Sequence, residues 1–272
     1  MDLRESTIQA THCSAAEVLD WLDFTYGAQS SDPLLFDHFL ETFPKIADLM
    51  KTFELEDGDP DKVATLLDRG QYGYNFVMVL NNYIRIMYNS SEPRMGVHVS
   101  IPSHGLWMLP LFGGNGSALL SDILEDLYRK GCKVTRMDIA ADDYQKVYMP
   151  IDYVDFYREN RIRTYCRRFQ YIGCNGGTVY LGSRNSGRYV RIYDKNKESK
   201  GEIDAIRYEL EFRGRYAQMV VDKLLAGEEF SFMDLMLTIF QIVPADAAAS
   251  DRAADKSNAP IDPEWLDRLA HV

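Results

Sequence analysis

Two segments of this chain alternate between apolar and polar residues, and this alternation constrains the fold more than any other feature of the sequence. The segments are 136–142 and 206–213. Successive side chains of a β-strand point to opposite faces, so each segment predicts a strand with one apolar face and one charged face. The apolar faces must turn toward a core. The acids on the two charged faces are Asp138, Asp142, Glu209 and Glu211.

Four carboxylates on neighbouring strands need compensation, because like charges at short range repel one another. Arginines on the same faces could pair with them and leave an ordinary solvated sheet surface. Alternatively, the acids could surround a divalent cation, and a set of oxygen ligands suits Mg²⁺ or Mn²⁺. These two strands alone leave both alternatives open.

A third predicted strand adds a nucleophile. Val190 and Ile192 form its apolar face, so Tyr189, Arg191 and Tyr193 point the other way. A single tyrosine on a strand usually has a packing role. A tyrosine beside a guanidinium and acid-bound metal, however, would have the groups needed to cleave a phosphodiester. The period of two does not show that the three polar faces coincide.

The rest of the chain predicts an α+β fold, with a central antiparallel sheet, helices packed on one face, and an open face that forms a DNA and metal site. Turn residues separate the predicted strands at 20–26, within 71–101, and at 169–172, 178–181 and 189–193, while helical spacing covers 33–53 and 117–127. We expect one domain over residues 1–240. A mobile linker at 241–260, rich in small and charged residues, and a short helix or tail at 261–272 would follow.

Charge is distributed unevenly along the chain. The net charge is -11, which argues against a protein that coats nucleic acid indiscriminately. Residues 158–200 nevertheless contain 11 basic and 3 acidic side chains, whereas residues 1–60 contain 3 basic and 13 acidic ones. This asymmetry predicts a basic face that can hold a polyanion. No membrane span, signal peptide or cysteine scaffold is recognisable, so we expect a cytoplasmic protein.

Four segments carry a resemblance to a known family. They read RMDIAAD at 136–142, TVYLGSR at 178–184, YVRIYDK at 189–195 and IRYELEFR at 206–213. Together they resemble the replication initiation family, which includes plasmid rolling-circle Rep proteins, filamentous-phage initiators and relaxases of some conjugative elements. The resemblance extends in order over residues 18–240.

The resemblance implies a metal-dependent DNA nickase that forms a 5′-phosphotyrosyl bond and leaves a 3′-hydroxyl as primer. By this resemblance Tyr193 is the nucleophile, with Arg191 beside it, and Tyr189 is its nearest rival. The metal ligands would be Asp138, Asp142 and Glu209 or Glu211. The chain has no His-x-His pair, so only an acidic metal site is possible.

The expected partner is locally single-stranded DNA at an origin, with a host helicase or polymerase and a second copy of the chain as further partners. Five basic residues near the nucleophile are expected to bind it: Arg167, Arg168, Arg184, Arg188 and Lys195. Two other functions stay open at this point. One is a DNA-binding regulator that keeps the fold without catalysis, and the other is an unrelated metal-dependent phosphoesterase that never becomes attached to DNA.

Overall fold

The structure is a computed structural model. It describes residues 17–27, 35–51, 64–80, 83–106, 114–174, 176–228, 230–249, 257–270 and 272. The described strands are β1 (Val18–Tyr26), β2 (Ala64–Leu66), β3 (Phe76–Leu80), β4 (Ile84–Tyr88), β5 (Val97–Pro102), β6 (Lys133–Asp143), β7 (Ile162–Thr164), β8 (Phe169–Ile172), β9 (Thr178–Gly182), β10 (Arg188–Asp194), β11 (Ile206–Arg213) and β12 (Phe240–Ile242). The predicted α+β class, with a large antiparallel sheet and several helices, is confirmed.

The helices are mostly short. They are α1 (Leu35–Thr42), α2 (Pro44–Lys51), α3 (Ser103–Leu106), α4 (Gly114–Arg129), α5 (Asp152–Arg158), α6 (Lys195–Glu198), α7 (Arg215–Leu225), α8 (Phe232–Leu237), α9 (Ala245–Ala248) and α10 (Pro263–Arg268). None of those in the described part of the chain has the length and hydrophobicity to cross a bilayer.

The chain divides into two compact units. The amino-terminal unit comprises Leu19–Asp138 and Arg213–Glu228, and the carboxy-terminal unit comprises Ile139–Phe212 and Glu229–Val272, together with Glu17 and Val18, within the described part of the chain. Strand β6 contributes residues to both units.

In the amino-terminal unit the strand order is β2-β3-β4-β5-β1-β6. The predicted meander is present, because β3, β4 and β5 pair antiparallel in sequence order. The single helix predicted at 33–53 is wrong: α1 ends at Thr42 and α2 begins at Pro44. Proline lacks an N–H to continue a helix but fits the first position of a new one. Phe43, between the two helices, packs its ring edge against Phe24 of β1, with ring centroids 5.3 Å apart.

In the carboxy-terminal unit the order is β6-β11-β10-β9-β8, and β7 and β12 form a separate two-stranded ribbon. The apolar face of β11 is covered by aromatic residues. The Tyr153 hydroxyl of α5 donates a hydrogen bond to Tyr208 of β11 over 3.1 Å, and Phe240 packs between Tyr153 and the buried Trp265 of α10. This packing leaves the opposite, polar face of β9, β10 and β11 for the candidate site.

The predicted linker at 241–260 needs correction. Its first residues belong to β12, which pairs with β7 in the register Ile242 to Ile162, and α9 follows directly. Ile242 and Val243 are buried, so hydrophobic packing outweighs the small and charged residues further along. Residues 250–256 lie outside the described part of the chain. The predicted terminal helix corresponds to α10, where the side chain of Asp262 accepts hydrogen bonds from the N–H groups of Glu264 and Trp265.

Candidate active site

The register of the carboxy-terminal unit brings the predicted polar residues to one face. Tyr193 of β10 lies opposite Arg207 of β11, and Arg191 lies opposite Glu209. On the other side of β10, Arg191 lies opposite Tyr180 of β9. Directly opposed residues of an antiparallel pair share a face. The polar residues of β10 and β11 therefore lie on the same face of the sheet. The sequence alone left this open.

Tyr193 lies at the partly exposed end of this face. Its hydroxyl donates a hydrogen bond to Glu209 Oε2 over 3.3 Å. The guanidinium of Arg191 and the ammonium of Lys195 each lie 5.9 Å from the centre of its ring. Cations near a phenol favour its ionised form, and a carboxylate in contact with the phenol can accept its proton.

Glu209 is the buried partner in this arrangement. Its side chain is 1% exposed and forms an ion pair with Arg191, whose side chain is 28% exposed. Glu209 Oε1 forms the ion pair with the Arg191 guanidinium, and Oε2 accepts the hydrogen bond from the Tyr193 hydroxyl. Both oxygens therefore have a partner, and Oε2 is the one that faces the phenolic proton.

Asp142 is bound differently. Arg207 Nε donates to Asp142 Oδ1 over 2.6 Å, and Arg207 Nη2 donates to Oδ2 over 2.6 Å. Both side chains are almost completely buried, at 4% and 2% exposure. This two-point pairing occupies both carboxylate oxygens of Asp142 with a cation that always keeps its charge.

Asp138 lies in the amino-terminal unit, fully buried. Arg136 Nε donates to Asp138 Oδ1 over 2.8 Å, and Arg136 Nη2 pairs with Oδ2. The guanidinium of Arg136 also lies over the ring of Trp21, 4.2 Å from its centre. Arg136 therefore neutralises Asp138, another of the predicted metal ligands.

The predicted metal ligands are thus not gathered as one set. Among the residues that the structure describes, no group of three or more His, Cys, Asp or Glu is arranged to hold a metal ion. Mg²⁺, however, is commonly bound by one or two carboxylates together with substrate phosphates and water. Of the predicted ligands, Glu211 of β11 would serve such a site, because Glu209 is paired with Arg191 and hydrogen-bonded to Tyr193. Asp138 and Asp142 are held by arginines.

Tyr189, the rival nucleophile, is much less accessible. It is 7% exposed and stacks on Tyr180, with ring centroids 5.9 Å apart. Burial raises the pKa of Tyr189, the neighbouring Tyr180 raises it further, and Arg184 opposes the shift through a hydrogen bond. A raised pKa makes the phenolate scarcer at neutral pH, so Tyr193 is the better placed of the two.

Comparison with known proteins shows the family to which the chain belongs. The profile of the replication initiation factor family matches residues 132–272, more than half of the chain. The chain belongs to this family. The matched segment includes every site residue described above.

Two further similarities agree with this membership. The chain is 28% identical over 193 residues to a protein named Putative DNA relaxase NicK from Bacillus subtilis (strain 168); the match covers 64% of the chain and 52% of that relative, so the chain spans about half of its length. A solved rolling circle replication initiator protein from Geobacillus stearothermophilus has the same fold, with a TM-score of 0.65 and 19% identity over 94% of this chain and 96% of that one.

The basic residues predicted to bind DNA differ in their exposure to solvent and in their contacts within the protein. Arg167, Arg168 and Arg184 are exposed. Arg188 donates from Nη1 to the carbonyl of Thr238 over 2.7 Å, and Lys195 pairs with Glu198 over 2.5 Å. Arg168 also donates to Gln170 and Arg184 is hydrogen-bonded to Tyr189, so the first three are distinguished by their greater exposure to solvent, where phosphate can reach them.

Sequence reasoning missed two members of the site. Arginines were expected on the polar faces, but Arg207 was not recognised as the partner of Asp142, and Tyr180 was not recognised as a neighbour of Arg191 and Tyr189. Both depend on cross-strand register, which hydrophobic periodicity does not encode. The only available signal was the strict alternation of each strand.

Proposed function

We propose that this replication initiation factor cleaves one DNA strand with Tyr193 and thereby starts rolling-circle replication or transfer of a mobile element. The observation that carries the proposal is the hydrogen bond from the Tyr193 hydroxyl to the buried carboxylate of Glu209, on a face that reaches solvent. Family membership supports the DNA context.

The reaction is a transesterification at a phosphodiester. The Tyr193 oxygen forms the new bond to phosphorus, and the bond from phosphorus to the 3′ oxygen breaks. Glu209 accepts the proton of the phenol and returns it to the leaving oxygen, which becomes a 3′-hydroxyl. The 5′-phosphate stays attached to the protein, so the energy of the broken ester is kept for rejoining.

Electrostatics would assist the attack. A phenol with an ordinary pKa of about 10 is mostly protonated at neutral pH, so its ionisation needs nearby positive charge. Arg191 and Lys195 each lie 5.9 Å from the centre of the Tyr193 ring. With the scissile phosphate beside the Tyr193 hydroxyl, these cations would also stabilise the negative charge that grows on the phosphoryl oxygens.

A divalent ion near Glu209 belongs to the proposal as well. Bound Mg²⁺ or Mn²⁺ would polarise a phosphoryl oxygen of the DNA, and Glu211 is the acid that would hold it, because Glu209 serves as the base. The DNA itself would be locally single-stranded, because a scissile phosphate must leave the stacked duplex to be attacked in line.

The test compares two tyrosines on the same strand. Removal of only the hydroxyl in Tyr193→Phe should abolish relaxation of supercoiled DNA that carries the origin of the encoding element, while DNA binding persists. Tyr189→Phe is the matched control and should retain relaxation. Loss in Tyr189→Phe alone would transfer the nucleophile to Tyr189, and absence of relaxation by the wild type would favour the DNA-binding regulator.

A further inference from the structure

One aromatic side chain of the carboxy-terminal unit is far more exposed than a packing role requires. Tyr165, in the link between β7 and β8, is 86% exposed. Apolar rings normally contribute to stability by leaving water, and Tyr165 gains almost nothing in this way.

The backbone that carries Tyr165 is nevertheless well anchored. The Thr164 hydroxyl donates to the carbonyl of Ile239 over 2.7 Å and accepts the N–H of Cys166 over 3.0 Å. Beyond the tyrosine, the carbonyl of Arg168 accepts the N–H of Gly182 over 2.8 Å. The ring is therefore presented to solvent by a fixed segment, which lowers the entropic cost of binding to it.

Positive charge surrounds the ring. The guanidinium of Arg188 lies 5.9 Å from the centre of Tyr165, where its hydrogen bond to Thr238 fixes it. Arg167 and Arg168 lie two and three residues further along the chain and are exposed. An aromatic ring among cations that track a phosphate backbone is the combination with which proteins hold single-stranded nucleic acid.

The segment also connects to the candidate active site. Arg168 donates from Nη2 to the side-chain oxygen of Gln170 over 2.9 Å. Gln170 lies opposite Tyr180 on β9, and Tyr180 lies opposite Arg191 on β10. Adjacent strands are about 4.8 Å apart, so a single strand of DNA could run from Tyr165 along this row to the nucleophile.

We propose that Tyr165 stacks on a nucleobase of the single-stranded substrate and so positions the strand for attack by Tyr193. This inference rests on the proposed function and adds a binding residue to it. The ligand is a nucleobase within single-stranded DNA, because stacking needs an unpaired base and the surrounding arginines select a polyanion. Stacking tolerates any base, so the contact grips the strand without reading its sequence.

The test measures binding without cleavage. Fluorescence anisotropy with a labelled oligothymidylate of about 20 nucleotides, the scale of one or two single-strand binding sites, needs neither an origin nor an active nucleophile. Tyr165→Ala should weaken binding about fivefold or more, the loss expected for one stacked base. Tyr165→Trp should retain or improve it. The salt dependence of Tyr165→Ala should match the wild type, because the phenol neutralises no phosphate.

The matched control is Tyr128→Ala on α4, where the tyrosine is also exposed, at 66%, and alanine favours a helix. This variant should bind like the wild type. An equal effect of the two alanine variants would overturn the inference, as would an equal loss on duplex DNA or no binding by the wild type. The binding assay does not involve Tyr193. If the relaxation assay showed that Tyr193 is not the nucleophile, the binding assay would still decide whether Tyr165 stacks on a base.

Discussion

Two arginine–carboxylate pairs on the polar face of β11 look alike in sequence and differ in structure. Arg207 and Asp142 are both buried and joined at two points. Arg191 reaches solvent while its partner Glu209 is buried and also accepts from Tyr193. The two pairs are close together, because Arg207 and Glu209 are only two residues apart on β11.

The difference shows which pair can take part in chemistry. A carboxylate with both oxygens bonded to an arginine has no free position for a proton or ion, and breaking such a buried pair is costly. A carboxylate whose arginine is partly solvated can exchange partners at lower cost. The Arg207 pair therefore serves the fold, and the Arg191 pair serves the site.

Removal of divalent cations is the change with the largest expected effect. If Glu211 holds Mg²⁺ or Mn²⁺ with the DNA phosphate, EDTA should stop cleavage of supercoiled origin DNA, and either ion should restore it. Gel analysis of the nicked product measures this. Unchanged cleavage in EDTA would overturn the metal site and leave Glu209 as a base paired to Arg191 alone.

Glu209→Gln should have the next largest effect. The amide keeps the size of the side chain but loses its basicity, so the rate of cleavage should fall by about 100- to 10,000-fold. DNA affinity should change little. Single-turnover kinetics with excess protein provide the measurement, and a variant that cleaves at the wild-type rate would remove Glu209 from the mechanism.

Asp142→Ala should affect the other pair through stability. It leaves the Arg207 charge buried without its partner, which should lower the free energy of unfolding by about 3–5 kcal/mol. Urea denaturation followed by circular dichroism measures the loss. The double variant Asp142→Leu with Arg207→Met removes both charges and should recover most of it; a stable Asp142→Ala would contradict the structural role.

The smallest effects on affinity and stability are expected at two basic residues that belong to neither arginine–carboxylate pair. Arg167→Ala should reduce the slope of log affinity against log salt by about one unit and leave stability unchanged, because its side chain is exposed. Arg188→Ala should also lower the free energy of unfolding by about 1 kcal/mol, since its hydrogen bond to Thr238 is lost. Identical behaviour of the two variants would contradict the distinction.

The sequence predicted the strands of the site well, because alternation over seven or eight residues is a strong signal for β6, β10 and β11. It could not predict which arginine neutralises which acid. Arg136 pairs with Asp138 two residues away on its own strand, whereas Arg207 pairs across strands with Asp142, and only register separates these cases. The start of the predicted linker failed for a related reason, because β12 is too short for a periodic pattern and depends on pairing with β7.

Identification of the tyrosine that becomes attached to DNA tests the central claim most directly. The protein reacts with origin DNA and is then treated with trypsin and nuclease. Trypsin cleaves after Arg188, Arg191 and Lys195, so Tyr189 lies in peptide 189–191 and Tyr193 lies in peptide 192–195. Mass spectrometry should find a nucleotide 5′-phosphate on Tyr193 in peptide 192–195 and none on Tyr189. A phosphonucleotide on Tyr189, or on neither peptide, would contradict the account.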